Sequence, residues 1–172
     1  MPAVSDIVQF LRGQLFTSPS LPNTSFAGNT VIITGANQGL GFQCAKQLLD
    51  LHVSTLILGC RDVPKGEAAR EGLLVATSGE TDIQVWKVDM AGYASVKSFA
   101  GRVERELIMV DALIADAAFP TNKFHLAEGL EETLVVNLVS TFLLSSPGTH
   151  SSEEWISDTS VNHRLSSALF CG

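Results

Sequence analysis

Two stretches of the chain combine residue types and spacing that can do chemistry. The first is TGANQGLG, Thr34 to Gly41, in which three glycines recur with three residues and then one between them. Glycine suits a loop that must turn tightly and present bare backbone amides, and such amides at the start of a helix bind phosphate oxygens. The second is YASVK, Tyr93 to Lys97, a tyrosine and a lysine four positions apart. On a helix that separation puts both side chains on one face, where an ammonium lowers a phenol's pKa and makes it a proton donor at neutral pH. Each stretch also has a plainer reading: a strand-to-helix turn without a ligand for the first, and the start of a surface helix for the second. The elements around them decide.

From Thr30 onward the pattern is regular. TVIIT is a short β-branched run that ends at Gly35, and GFQCAKQLLDL has helical periodicity. STLILGC reads as a second buried strand, PKGEAAREGLLVAT as a helix rich in good helix formers, and DIQVWKVD as a third strand. SVKSFAGRVEREL, VDALIAD and a helix over residues 128–144 continue the alternation. Strands alternating with helices of this length imply right-handed crossovers and a parallel sheet covered on both faces. The expected fold is α/β, a Rossmann-type doubly wound parallel sheet with about four strands. Residues 1–27 read as a leader with a short amphipathic helix (Val4, Ile7, Val8, Leu11, Leu15), and residues 28–144 as the α/β unit. Residues 145–172 are serine-rich and read as an irregular tail, with only RLSSALF grouping apolar residues.

Composition bounds the partners. The chain has 172 residues, 45% hydrophobic and 17% charged, and a net charge of -7. That balance suits a soluble domain with a substantial core and argues against nucleic acid, which needs a concentrated basic face. Cys44, Cys60 and Cys171 share no metal-ligand or disulfide spacing, so no metal is expected and a reducing, cytoplasmic setting is. The longest apolar run, LVVNLVSTFLL from Leu134, is well short of the roughly 20 residues that span a bilayer, so no transmembrane segment is expected.

TGANQGLG lies between a predicted strand and a predicted helix, the context that gives a glycine triplet meaning. Gly35 permits the tight turn, Gly39 lets the backbone approach a pyrophosphate, and Gly41 allows the helix to pack closely on the strand. The spacing resembles that of the short-chain dehydrogenase/reductase family, and further pieces occur in that family's order: LGCRD ends the second strand, VDM the third, DALIADAA the fourth, and VVNLVSTFLL resembles the family's Val-Asn-rich helix. The leader and FAGNTVIITGAN resemble fungal members in particular. The resemblance covers residues 1–144.

The resemblance implies a dinucleotide site formed by Thr34, Gly35, Asn37, Gly39, Leu40, Gly41, Arg61, Asp89, Met90, Asp116 and Ala117. Arg61 is placed near the adenosine ribose, where a guanidinium pairs with a 2′-phosphate, so NADP(H) is expected ahead of NAD(H). The competing reading for Arg61 is a surface arginine paired with Asp62 or Glu67. Asp89 resembles the aspartate that accepts from the adenine amino group; an ordinary strand-end aspartate capping the next turn competes with it. Asp116 replaces an amide, removing its donor, and Ala118 replaces a glycine. Asn137 matches the catalytic asparagine that helps to hold a water in the family's proton relay.

The family's remaining catalytic members are a serine after a fifth strand, then a tyrosine and lysine four apart on the next helix. Tyr93 is the single tyrosine of the chain, and no lysine occurs after Lys123. YASVK directly follows the third strand, on the adenine side of the sheet, whereas the proton donor belongs beside the nicotinamide. It is therefore expected to be a decoy at the start of a surface helix. The expected function is that of an NADP(H)-binding oxidoreductase chain, whose family reaction is hydride transfer between cofactor and a carbonyl or alcohol of unknown identity, catalytically incompetent as it stands because the catalytic half is missing. The alternatives are a non-catalytic dinucleotide-binding or interaction subunit, associating through an exposed sheet edge, and a non-functional truncated product.

Overall fold

The structure is a computed structural model that describes Arg12, residues 24–76, 81–118 and 123–145, and Ala168–Leu169. Its elements are β1 (Thr30–Thr34), α1 (Gly39–Asp50), β2 (Thr55–Cys60), α2 (Val63–Ala76), β3 (Asp82–Lys87), α3 (Tyr93–Glu106) and β4 (Ala112–Ala115). A small hairpin, β5 (Leu126–Ala127) with β6 (Leu130–Glu131), leads into a composite helix. That helix comprises α4 (Glu132–Leu134), a π-helical turn at Val135–Val139 and α5 (Ser140–Ser145). The last element is β7 (Ala168–Leu169). The leader helix expected among Val4, Ile7, Val8, Leu11 and Leu15 lies outside the described residues.

The strands pair in the order β3-β2-β1-β4-β7, every pair parallel. Thr30 is in register with Thr55, Val31 with Ala112, and Leu56 with Ile83. The chain thus winds from β1 outward through β2 to β3, then crosses back to place β4 on the other side of β1. Between β1 and β4 the winding reverses, and in open α/β sheets a crevice forms there beyond the carboxyl ends of the strands.

Strand periodicity divides the core in two. Val31, Ile33, Leu56, Leu58 and Ile83 pack on one face with Leu48, Leu49 and Leu73. Ile32, Ile57, Trp86 and Leu113 pack on the other with Val96, Phe99 and Leu144. Near-continuous apolar runs in β1 and β2 follow from burial on both faces, and each such side chain contributes about 1.5–3 kcal/mol on leaving water. Trp86 is buried, meets Phe99 edge-on with ring centroids 5.8 Å apart, and has the Arg102 guanidinium 3.9 Å over its ring.

Three expectations change. The helix expected from residue 128 begins at Glu132, because Glu128 and Gly129 have φ of 52° and 80° and form the hairpin turn; two consecutive positive-φ residues fit a tight hairpin and not a helix. The helix is also not uniform, since its middle turn is π-helical. Finally, the outer edge of β4 is not bare and the tail is not wholly irregular. Leu113 and Ile114 pair with Ala168 and Leu169, a parallel addition that gives edge amides and carbonyls partners.

Candidate functional site

The loop after β1 is built by contact with the end of β4. Gly35 has φ 76°, and a Cβ there would stand 2.9 Å from Ala117 Cα and 3.0 Å from Ala117 N. No other residue fits that approach. The Ala117 amide donates to Thr34 Oγ1 at 3.2 Å, and the Gly41 amide donates to Asp116 Oδ2 at 2.8 Å. A Cβ at Gly41 would meet the same Oδ2 at 2.8 Å. Gly39 differs: its φ is 63°, with open space where a Cβ would stand. Helix α1 starts at Gly39 with no acidic residue in its first turn and no side-chain cap from Gln38, so its end favours an anion.

A cavity of about 520 Å³ opens at this point. Its lining includes Gly35, Asn37, Gly39 and Leu40 from the end of β1 and the start of α1, Arg61 after β2, Asp89 and Met90 after β3, and Asp116 and Ala117 after β4. Nine of the sequence-predicted residues are therefore brought together. Thr34 and Gly41 do not line the cavity; both are buried and tie the loop to the end of β4 through the two hydrogen bonds. Asn137 is exposed, within the π-helical turn, and does not line the cavity, although its neighbour Val136 does.

The charged groups at the rim sort themselves into pairs. Lys65 Nζ lies 3.6 Å from Asp62 Oδ2, and Arg70 Nη1 lies 3.5 Å from Glu67 Oε2. The two carboxylates that compete for Arg61 are thus engaged by other cations. Arg61 is exposed and lines the cavity. Lys65 lines it too; sequence reading passed over it, although its position four residues after Arg61, in the first turn of α2, was a usable signal.

Asp89 makes the turn that the plainer reading foresaw. Its Oδ1 accepts from the Ala91 amide at 3.0 Å, and its own amide donates to Ser95 Oγ at 2.9 Å. The residue nonetheless lines the cavity. Cys60, at the end of β2, is buried. Burial pushes its thiol up to about 11, against the Asn37 amide hydrogen bond, which lowers it, while Asp62 and Glu67 add to the rise. Among the described residues no group of three or more His, Cys, Asp or Glu side chains could hold a metal ion, and no helix is long and apolar enough to cross a membrane.

Tyr93 and Lys97 stand outside the cavity. Tyr93 is the first residue of α3, and its backbone amide donates to Glu128 Oε1 at 2.9 Å. Two strands separate β3, which precedes it, from β4.

The family model for short chain dehydrogenases matches residues 29–151, the span that carries the loop, the cavity and strands β1 to β4 of the sheet. The chain belongs to the short-chain dehydrogenase family. It is 44% identical over 138 residues to the short-chain dehydrogenase anuD of Penicillium roqueforti, covering 80% of this chain and 36% of that protein. It is 42% identical over 141 residues to the short chain dehydrogenase/reductase mfmJ of Annulohypoxylon moriforme, covering 80% and 41%. This short-chain dehydrogenase chain therefore spans less than half the length of these relatives. Among solved structures it is similar to an uncharacterised protein of Mycobacterium paratuberculosis, with a TM-score of 0.62 and 31% identity over 75% of this chain and 45% of that one. The RhlG/NADP active-site complex of Pseudomonas aeruginosa shares the fold, with a TM-score of 0.59 and 22% identity over 73% and 46%. The family uses nicotinamide cofactors, and the Rossmann-type parallel sheet expected from the sequence is the fold of these neighbours.

Proposed function

We propose that this chain holds NADP(H) in the cavity between β1 and β4, as the cofactor-binding part of an oxidoreductase that moves a hydride between nicotinamide and a carbonyl or alcohol. The observation that carries this reading is the state of Arg61. It lines the cavity while its two candidate carboxylate partners pair with Lys65 and Arg70, which suits a guanidinium meant for a 2′-phosphate. NAD(H), lacking that phosphate, is the weaker ligand. The open space at Gly39 and the uncapped start of α1 fit a pyrophosphate. That the Pseudomonas aeruginosa neighbour is an NADP complex agrees with it.

When bound, the nicotinamide supplies or accepts the hydride. The chain's own residues would then bind and orient: the amides of Gly39 and Leu40 would hold the phosphates, Arg61 the 2′-phosphate, and Asp89 and Met90 the adenine side. Protonating the developing alkoxide needs a positioned acid, and Tyr93, the single tyrosine in these 172 residues, opens α3 and is not part of the cavity lining. Residues 28–144 are thus read as a dinucleotide-binding unit without a proton donor of its own, acting in the cytoplasm. Fluorescence titration of NADPH tests the reading, using wild type and Gly35→Ala. Saturable binding that the substitution abolishes supports it; no binding to the wild type, or equal binding to both, overturns it.

A second reading, a non-catalytic interaction subunit, is favoured by one observation. Leu134, Leu138 and Phe142 recur four apart along the composite helix and are exposed, an apolar stripe that an associating chain would cover.

A further inference from the structure

The cavity contains a charge that works against an anionic ligand. Asp116 follows β4 and turns its carboxylate to the first turn of α1, where Oδ2 takes the Gly41 amide at 2.8 Å. No residue of α1's own first turn is acidic and Gln38 contributes no side-chain cap. Asp116 also lines the cavity, in which two basic side chains, Arg61 and Lys65, meet three carboxylates, Asp62, Asp89 and Asp116. Since Lys65 pairs with Asp62, Arg61 alone remains to balance Asp89 and Asp116.

We propose that Asp116 sets the affinity of this cavity for anionic dinucleotides by acting as a resident anion: it stabilises the ligand-free fold and opposes the incoming phosphates. The inference rests on reading the cavity as the dinucleotide site. Its physical basis is that one helix end is asked to do two things. The partial positive charge at the start of α1 attracts any nearby anion, and a carboxylate fixed 2.8 Å from the Gly41 amide already uses part of that field. A pyrophosphate arriving at the exposed Gly39 and Leu40 meets a like charge that is only partly buried, within reach of salt screening. An amide in the same position keeps an acceptor oxygen for the Gly41 amide and removes the repulsion.

A merely structural role for Asp116 predicts that its loss weakens both fold and binding. The resident-anion role predicts opposite signs, and that difference is the test. NADPH is titrated by calorimetry against the full chain as wild type, Asp116→Asn and Asp116→Ser, at low salt and at about 0.5 M salt, with thermal melts of each without nucleotide. Both neutral variants are expected to bind NADPH about tenfold more tightly than wild type at low salt. The gain shrinks at high salt, and the ligand-free midpoint falls by about 2–4 °C. The serine variant keeps the test decisive should the asparagine variant fold poorly. Equal or weaker binding by the neutral variants, or a gain indifferent to salt, overturns the inference and leaves the cofactor reading in place. NADPH binding by none of the three proteins overturns both.

Discussion

The carboxylate of Glu128 accepts the backbone amide of Tyr93 at 2.9 Å, so that a hairpin turn following β5 caps a helix that begins after β3. The contact uses Tyr93's amide and not its phenol. Tyr93→Phe is therefore expected to leave stability within about 0.5 kcal/mol of wild type and to leave NADPH binding unchanged. Glu128→Ala should cost about 1 kcal/mol, the value of a charged hydrogen bond at a helix start. Urea unfolding of both variants measures this; a reversed order would mean that the tyrosine ring, and not its amide, matters.

Ser140 gives a prediction of opposite sign. Its Oγ is buried with no hydrogen-bond partner among the described residues, while Thr141 Oγ1 next to it donates to the Val136 carbonyl. A buried hydroxyl without a partner costs about 1–3 kcal/mol in desolvation. Ser140→Ala is expected to raise the unfolding free energy by about 1 kcal/mol, and a destabilised variant would show that the hydroxyl finds a partner.

How much of this was legible in the sequence depends on the length scale of each signal. TVIIT is β1 residue for residue, and the glycines at 35, 39 and 41 could be given distinct tasks, because β-branched runs bounded by glycine carry their own geometry. The hairpin was not legible: its strands are two residues each, too short for any periodicity, and the Glu128–Gly129 turn was absorbed into the following helix. The π-helical turn escaped because it inserts its extra residue without changing composition. The partner choices of Asp62 and Glu67 also escaped, since several cations lie within reach in sequence and three-dimensional placement chooses among them. Asp116 was singled out as a departure from the family pattern; that its carboxylate would bind the Gly41 amide across β4 and α1 needed the structure.

Glu131 links stability to acid. Its carboxyl lies below its ordinary value of 4.5, chiefly through the Thr133 hydroxyl, with the Thr133 and Leu134 amides and His125 acting the same way and desolvation opposing. A group with a lowered folded pKa contributes stability above its unfolded value and loses it as pH falls through the folded one. Stability should thus decline as pH drops below about 4.5, and Glu131→Gln should flatten that part of the profile. An unchanged slope in acid melts would remove Glu131 from the account.

Cys60 acts at the other end of the scale. Its folded value of about 11 lies above the ordinary 9.0, so the native state keeps a proton that the unfolded state releases. Its contribution is fully present below pH 9.0 and is lost as pH rises toward 11. Cys60→Ala is expected to show a shallower alkaline decline, measured by melts across that window. Iodoacetamide at pH 8 should also modify the half-exposed Cys44 well before Cys60; early labelling of Cys60 would contradict its burial.

The most direct test of the central claim, that the cavity beside Arg61 holds NADP(H), is the ratio of NADPH to NADH affinity measured by calorimetry on wild type and Arg61→Ala. A guanidinium pairing with a phosphate contributes about 1.5–3 kcal/mol. Wild type is therefore expected to prefer NADPH by at least about tenfold. In Arg61→Ala that preference should collapse toward one, with NADH affinity little changed. Equal affinity for both cofactors in wild type, or a preference that survives the loss of Arg61, would contradict it.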